Sequence, residues 1–190
     1  MKLSETLAAL KEFKAQNPTA NKADVESFFI SMSGLTKARS VFSGPDYAIR
    51  FSEANAGSFS NVVLSLSALQ KYDSLPVVIC IVRPDRLDFR LANATFLKRI
   101  SHSSHQLTTT NIKGSFLGHD IMDSYDGIAN RPEFFDQLSA IHGEFSWIEN
   151  VERLVEATNS IVARSTRYQA TPDGVVAILV PPVIDFVANL

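Results

Sequence analysis

Only one cysteine, Cys80, occurs in the chain, so no internal disulfide is available. Its place inside the apolar run PVVICIV reads as core packing in a reducing compartment. Long hydrophobic runs are missing as well, and the longest fall far short of the roughly 20 residues that a membrane-crossing helix needs. The start, MKLSETLAALKEF, is charged and amphipathic without the apolar centre of a secretory signal. Charge of one sign is not in excess: the formal net charge is −2, which excludes a protein that is basic throughout but not one with a local basic face. Neither GxxxxGK[ST] nor GxGxxG is present, which argues against nucleotide hydrolysis and dinucleotide redox chemistry. No Gly-x-Ser-x-Gly elbow marks a serine nucleophile. The expectation is a cytoplasmic protein with no membrane partner and no resident cofactor.

What is there suits a sizeable core. Of 190 residues, 45% are apolar and thirteen are Phe. One domain over 1–190 is expected, with a helical N-terminal part at 1–42 and a mixed core at 43–190. The end, GVVAILVPPVIDFVANL, is apolar to its last residue. It reads either as docking on the core or as a boundary before a further, C-terminal catalytic domain.

The fold class expected is α+β, a mixed α/β arrangement around a small central sheet. Ser4 reads as the cap of a first helix ended by Asn17-Pro18, and Lys22–Ser33 as a second helix stopped by Gly34. Strands are expected near 46–53, 77–83, 87–91 and 174–180, with 77–91 forming a hairpin. The stretch SFSNVVLSLSALQKYD fits both periods and leans to helix. Helices near 132–142 and 147–163 follow, the second opened by the capping box Ser146-Trp147-Ile148-Glu149.

Charge is uneven along this frame. Between Arg83 and Lys113 stand Arg83, Arg86, Arg90, Lys98, Arg99 and Lys113 against Asp85 and Asp88, while nine acids face two arginines between Ser115 and Glu156. The stretch Asn93–His119 adds hydroxyl, amide and imidazole groups to those cations. Lys98, Arg99 and Lys113 can neutralise phosphates, and Ser101, Ser103, Ser104 and Thr108–Thr110 can donate to phosphate and sugar oxygens. Asn93, Asn111, Gln106, His102 and His105 can address base edges. Gly114 and Gly118 would let backbone approach a ligand closely. Interleaved Phe96, Leu97, Ile100 and Ile112 anchor the stretch. The plainer alternative is that the basic and acidic halves neutralise one another across the fold.

Two metal arrangements compete with this reading. Asp46 and Glu53, at the start and end of one expected strand, are candidate Mg²⁺ ligands of a nuclease, although the acidic-x-Lys pair such sites use is missing from the following strand. His102, His105 and His119, with Asp120, form a weaker ligand set, and structural zinc is not expected. Asp73, Asp85 and Asp88 read as turn residues, and His142 as a partner for a helix C-terminus.

The runs Ser58–Leu64, Pro76–Val82, LANATFLKRISHSSHQL, NIKGSFLGHDI and ENVERLVEATNSI resemble bacterial restriction endonucleases, over about Asp46 to Ala163. The resemblance implies a type II restriction endonuclease or its non-catalytic DNA-recognition domain, acting in host defence on double-stranded DNA as a homodimer or beside a catalytic domain. The absent acidic-x-Lys pair departs from that pattern and favours recognition over cleavage. The leading expectation is therefore duplex DNA gripped through 83–113, with Asn93, Ser101, His102, Ser103, Ser104, His105 and Asn111 among the contacts. A metal-dependent nuclease and a protein-interaction domain with an acidic helical face are the alternatives.

Overall fold

The computed structural model describes residues 1–55, 59–101, 114–160, 166–171 and 174–179. In chain order the principal elements are α1 (Leu3–Gln16), α2 (Lys22–Ser33), β1 (Lys37–Ala38), β2 (Val41–Ser43), β3 (Ala48–Glu53), β4 (Val62–Ser65), α3 (Leu66–Leu69), β5 (Val77–Val82) and β6 (Leu87–Leu91). They continue with β7 (Ser115–Leu117), β8 (Ser124–Tyr125), β9 (Ile128–Ala129), α4 (Phe135–His142), α5 (Trp147–Asn159), β10 (Thr166–Thr171) and β11 (Gly174–Leu179). The fold is α+β, and no described helix is long and apolar enough to cross a membrane.

The centre is a five-stranded mixed sheet in the order β1-β2-β3-β5-β6. β3 and β5 run parallel, which requires a crossover, and the remaining neighbours are antiparallel. Every residue of β5 is buried because both faces of the sheet are covered, so its sequence is a continuous apolar run. On one face Val78, Cys80, Val82 and Phe51 meet Leu10 of α1, Phe29 of α2 and Phe135 of α4. The rings of Phe29, Phe42 and Phe51 lie 5.1 to 5.8 Å apart there. On the other face Val77, Ile79 and Ile81 meet Leu64, Leu66, Phe116, Val151 and Leu154. Full burial pushes the Cys80 thiol well above its ordinary pKa, which fits inert packing.

Local chemistry explains the ends of most elements. Asn21 caps α2 by accepting from the N–H groups of Ala23 and Asp24 at 2.7 and 3.1 Å, and Gly34 stops it at φ +65°. Ser146 accepts from Glu149 N–H at 3.3 Å while Glu149 accepts from Ser146 N–H at 2.7 Å, so the expected capping box opens α5. Asp126 and Gly127 both take positive φ in the tight turn joining β8 to β9.

Several expectations are corrected. Ser4 lies inside α1, whose first turn is closed by Glu5 accepting from Lys2 N–H at 3.0 Å. The helical N-terminal part ends at Ser33, because β1 and β2 already belong to the sheet. The stretch 62–69 is a strand followed by one helical turn. β4 pairs with β7, far along the chain, and that pairing overrides the local helical period. β11 exists near the expected 174–180 but pairs with β10 in a separate two-stranded sheet, outside the central one. The expected 147–163 helix is seen to Asn159, and 161–165 lie outside the described residues.

Candidate nucleic-acid interface

The segment Asn93–Ser101 leaves β6 and runs alongside α5, which holds it by polar contacts. Arg153 donates to the carbonyls of Leu97, Ala94 and Thr95 at 3.0, 2.7 and 3.2 Å, and its burial lowers the guanidinium pKa. Thr158 Oγ1 accepts from Ile100 N–H at 2.9 Å. On its other side Lys98 N–H donates to the Asp120 carbonyl at 2.7 Å. The chain emerging at Lys98 and Arg99 is thereby fixed against the turn Gly118–Asp120.

Asp120, 1% exposed, organises that surface. Its carboxylate accepts from Arg99 Nε at 2.9 Å, from Leu117 N–H at 2.9 Å and from the Ser101 hydroxyl. His119 Nε2 stands 3.5 Å from the same carboxylate and 3.4 Å from Arg99 Nη2. Lys98 Nζ lies 3.4 Å from the His119 carbonyl, is exposed, and has no acidic partner among the described residues. Lys98, Arg99 and His119 therefore form one basic patch, carried on a buried anion whose geometry is over-determined by three donors. Ser101 and Ser115 pair across the chain, with Ser101 N–H donating to the Ser115 carbonyl at 2.8 Å. The patch thus sits where 102–113 departs and returns. His102, Ser103, Ser104, His105, Asn111 and Lys113 lie in that segment, outside the described residues.

The remaining expected contacts are placed otherwise. Arg83 pairs with Asp88 and donates to the Asn55 carbonyl at 3.0 Å; Arg86 meets Asp88 and Asp85, each at 3.0 Å. Desolvation opposes ionisation of Asp88, but hydrogen bonds and charge from both arginines hold its carboxyl below its ordinary pKa. The hairpin tip is thus neutralised within itself, whereas the pairing of basic with acidic segment occurs at Arg99–Asp120 and Arg90–Asp123. Arg90, on β6, lies 3.7 Å from Asp123. Asn93 is 1% exposed and spends its amide on Val77 N–H and the carbonyls of Asp73 and Leu75, so it reads no base. The bare faces of Gly118 and Gly114 meet the Phe59 ring and the Ile100 and Leu66 side chains, which makes them packing positions rather than ligand approaches.

No family model, curated protein or solved structure matches the chain. Function is therefore argued from geometry.

The extended strand β3 keeps Asp46 and Glu53 apart. The two exposed carboxylates bracket β3, whose six residues span roughly 16 Å at a strand's rise per residue, while ligands of one Mg²⁺ lie about 2 Å from it. Among the described residues no group of three His, Cys, Asp or Glu side chains is gathered closely enough to hold a metal ion.

One cluster was not legible beforehand. Asp73, read as a turn residue, is buried, and its Oδ1 accepts from Ala94 N–H at 2.8 Å and Asn93 Nδ2 at 3.3 Å. His142, read as a helix-end partner, bridges the Thr95 hydroxyl (Nδ1, 2.7 Å) and the Asp73 carbonyl (Nε2, 2.6 Å). Asn150 Oδ1 is 3.1 Å from Thr95 Oγ1, and its buried Nδ2 has no partner among the described residues. Burial pushes the Asp73 carboxyl above its ordinary pKa, against the lowering influence of Ala94 N–H, His142 and Asn93.

Proposed function

We propose that this domain recognises duplex DNA through the basic patch of Lys98, Arg99 and His119 and the polar segment 102–113 that leaves from it. The observation that carries the reading is the exposed Lys98, without an acidic partner among the described residues, beside Arg99 and His119 on the buried Asp120. Hydroxyls and cations at the root of a segment with closely paired ends suit a phosphate backbone, which such groups position without reading sequence. The resemblance to restriction endonucleases supports double-stranded DNA as the polyanion. The role is recognition, because the carboxylates nominated for cleavage stand apart.

The test is fluorescence anisotropy of a labelled duplex over a salt series. Binding should weaken steeply between about 50 and 200 mM salt, and Lys98→Ala with Arg99→Ala should flatten the log–log salt slope by about two. A double variant with unchanged affinity and slope removes this surface from function.

A further inference from the structure

A second concave region is lined by residues other than those proposed to contact DNA. It is a cleft of about 420 Å³ between the loop entering β5 and the junction of α4 with α5. Asp73 and His142 line it together with Leu75, Pro76, Phe145 and Trp147. The Asp73 side chain is only 7% exposed, and its Oδ1 is held by two donors from the segment after β6. Among the described residues its Oδ2 takes no hydrogen bond, and it stands 3.7 Å from His142 Nε2, which donates instead to the Asp73 carbonyl at 2.6 Å. Both imidazole nitrogens are engaged within the protein, so the carboxylate oxygen is the open anionic group on a wall that also carries Gln70, Ser74 and Ser139 beside its apolar and aromatic side chains.

The charge around the cleft settles which chemistry fits. Phe145 is 39% exposed and stands between Glu144 and the capping box of Ser146 and Glu149, both glutamates being exposed. Asp73 is the one carboxylate among the described lining residues, which include no lysine or arginine, and together with two aromatic rings it disfavours phosphate and suits a cation with a flat or apolar body. We infer that this cleft binds an organic cation of the guanidinium or alkylammonium class, its N–H groups donated to Asp73 Oδ2 and its body held between Phe145 and Trp147. The same chemistry is presented by a free amine and by an arginine or lysine side chain of a basic peptide.

Trp147 is the only tryptophan in the chain, so its fluorescence reports on this cleft alone. The intact protein would be titrated with Nα-acetyl-arginine amide (arginine amide below), with Nα-acetyl-citrulline amide (citrulline amide below) as the uncharged isostere, and with a short peptide carrying one internal arginine. Saturable change with arginine amide, at least about tenfold weaker with citrulline amide, is expected for a charge-assisted contact. Tighter binding of the peptide would assign the cation to a protein segment, and equal binding to a small molecule; both sustain the site. Asp73→Asn, whose amide oxygen can still accept from Ala94 and Asn93, should lose arginine amide binding. If that variant fails to fold, Phe145→Ala, at an exposed position, should weaken it several-fold. An equal response to citrulline amide, or undiminished binding in these variants, overturns the assignment.

Discussion

Two buried aspartates anchor the two halves of this molecule, and their surroundings give them opposite consequences. Asp120 is closed by a guanidinium, a hydroxyl and a backbone N–H, with an imidazole close by, so its charge is spent in holding Arg99 at the surface beside the exposed Lys98. Asp73 is held on one oxygen by neutral amide donors, and burial without a salt-bridging guanidinium raises its pKa. The first presents positive charge to solvent. The second presents a negative one into a cleft. The same residue type, buried in both places, is thus a support in one and a receptor in the other, and the neighbours that fill its second oxygen decide which.

Removing Asp120 should break the contrast most severely. Asp120→Ala strands the Ser101 hydroxyl and the Leu117 N–H in a buried site and is expected to cost about 4 kcal/mol, with the half-exposed Arg99 adding little. Urea unfolding measures this, and a loss below about 1 kcal/mol would mean the hub does not organise the patch.

Asp73→Asn should act through pH rather than through a large change in stability. The native carboxyl has a pKa above its unfolded value, so the native state binds this proton more readily. The stability it contributes is complete below the unfolded-state pKa and is lost as pH rises through the native one. Wild type should therefore lose ground to Asp73→Asn as pH climbs out of the carboxylate range, in unfolding curves collected from acid to neutral pH. Parallel pH profiles for the two proteins would show that burial does not govern this carboxyl.

The smallest effect belongs to the hairpin tip. Arg86→Ala removes an exposed guanidinium already paired with Asp85 and Asp88, and should change stability by no more than about 0.5 kcal/mol. Its DNA affinity should match wild type at each salt concentration. A fall as large as that of the Lys98/Arg99 double variant would return the tip to the interface.

How much could be read beforehand follows from the range of the forces involved. The β5 run, the hairpin alternation and the capping box of α5 are local patterns, and each lies where its residues indicate. The pairing of β4 with β7 depends on a partner far along the chain that no local period announces. Asn93 shows the same limit at the site: beside cations it reads as a base contact, yet its amide is consumed by the backbone around Val77.

From its residues alone the chain determined that a sheet flanked by helices would form, that Cys80 would pack in the core, and that positive and negative charge would occupy different segments. Hydrophobic periodicity and composition act at short range and suffice for those outcomes. Tertiary structure decided which cations stay available: Arg83 and Arg86 are neutralised within their own hairpin, whereas Lys98 emerges with no acidic partner among the described residues. It also decided that Asp73 and His142, far apart in sequence, would meet beside the cleft. Electrostatic pairing and desolvation depend on distances of a few ångströms, and only the folded chain sets those.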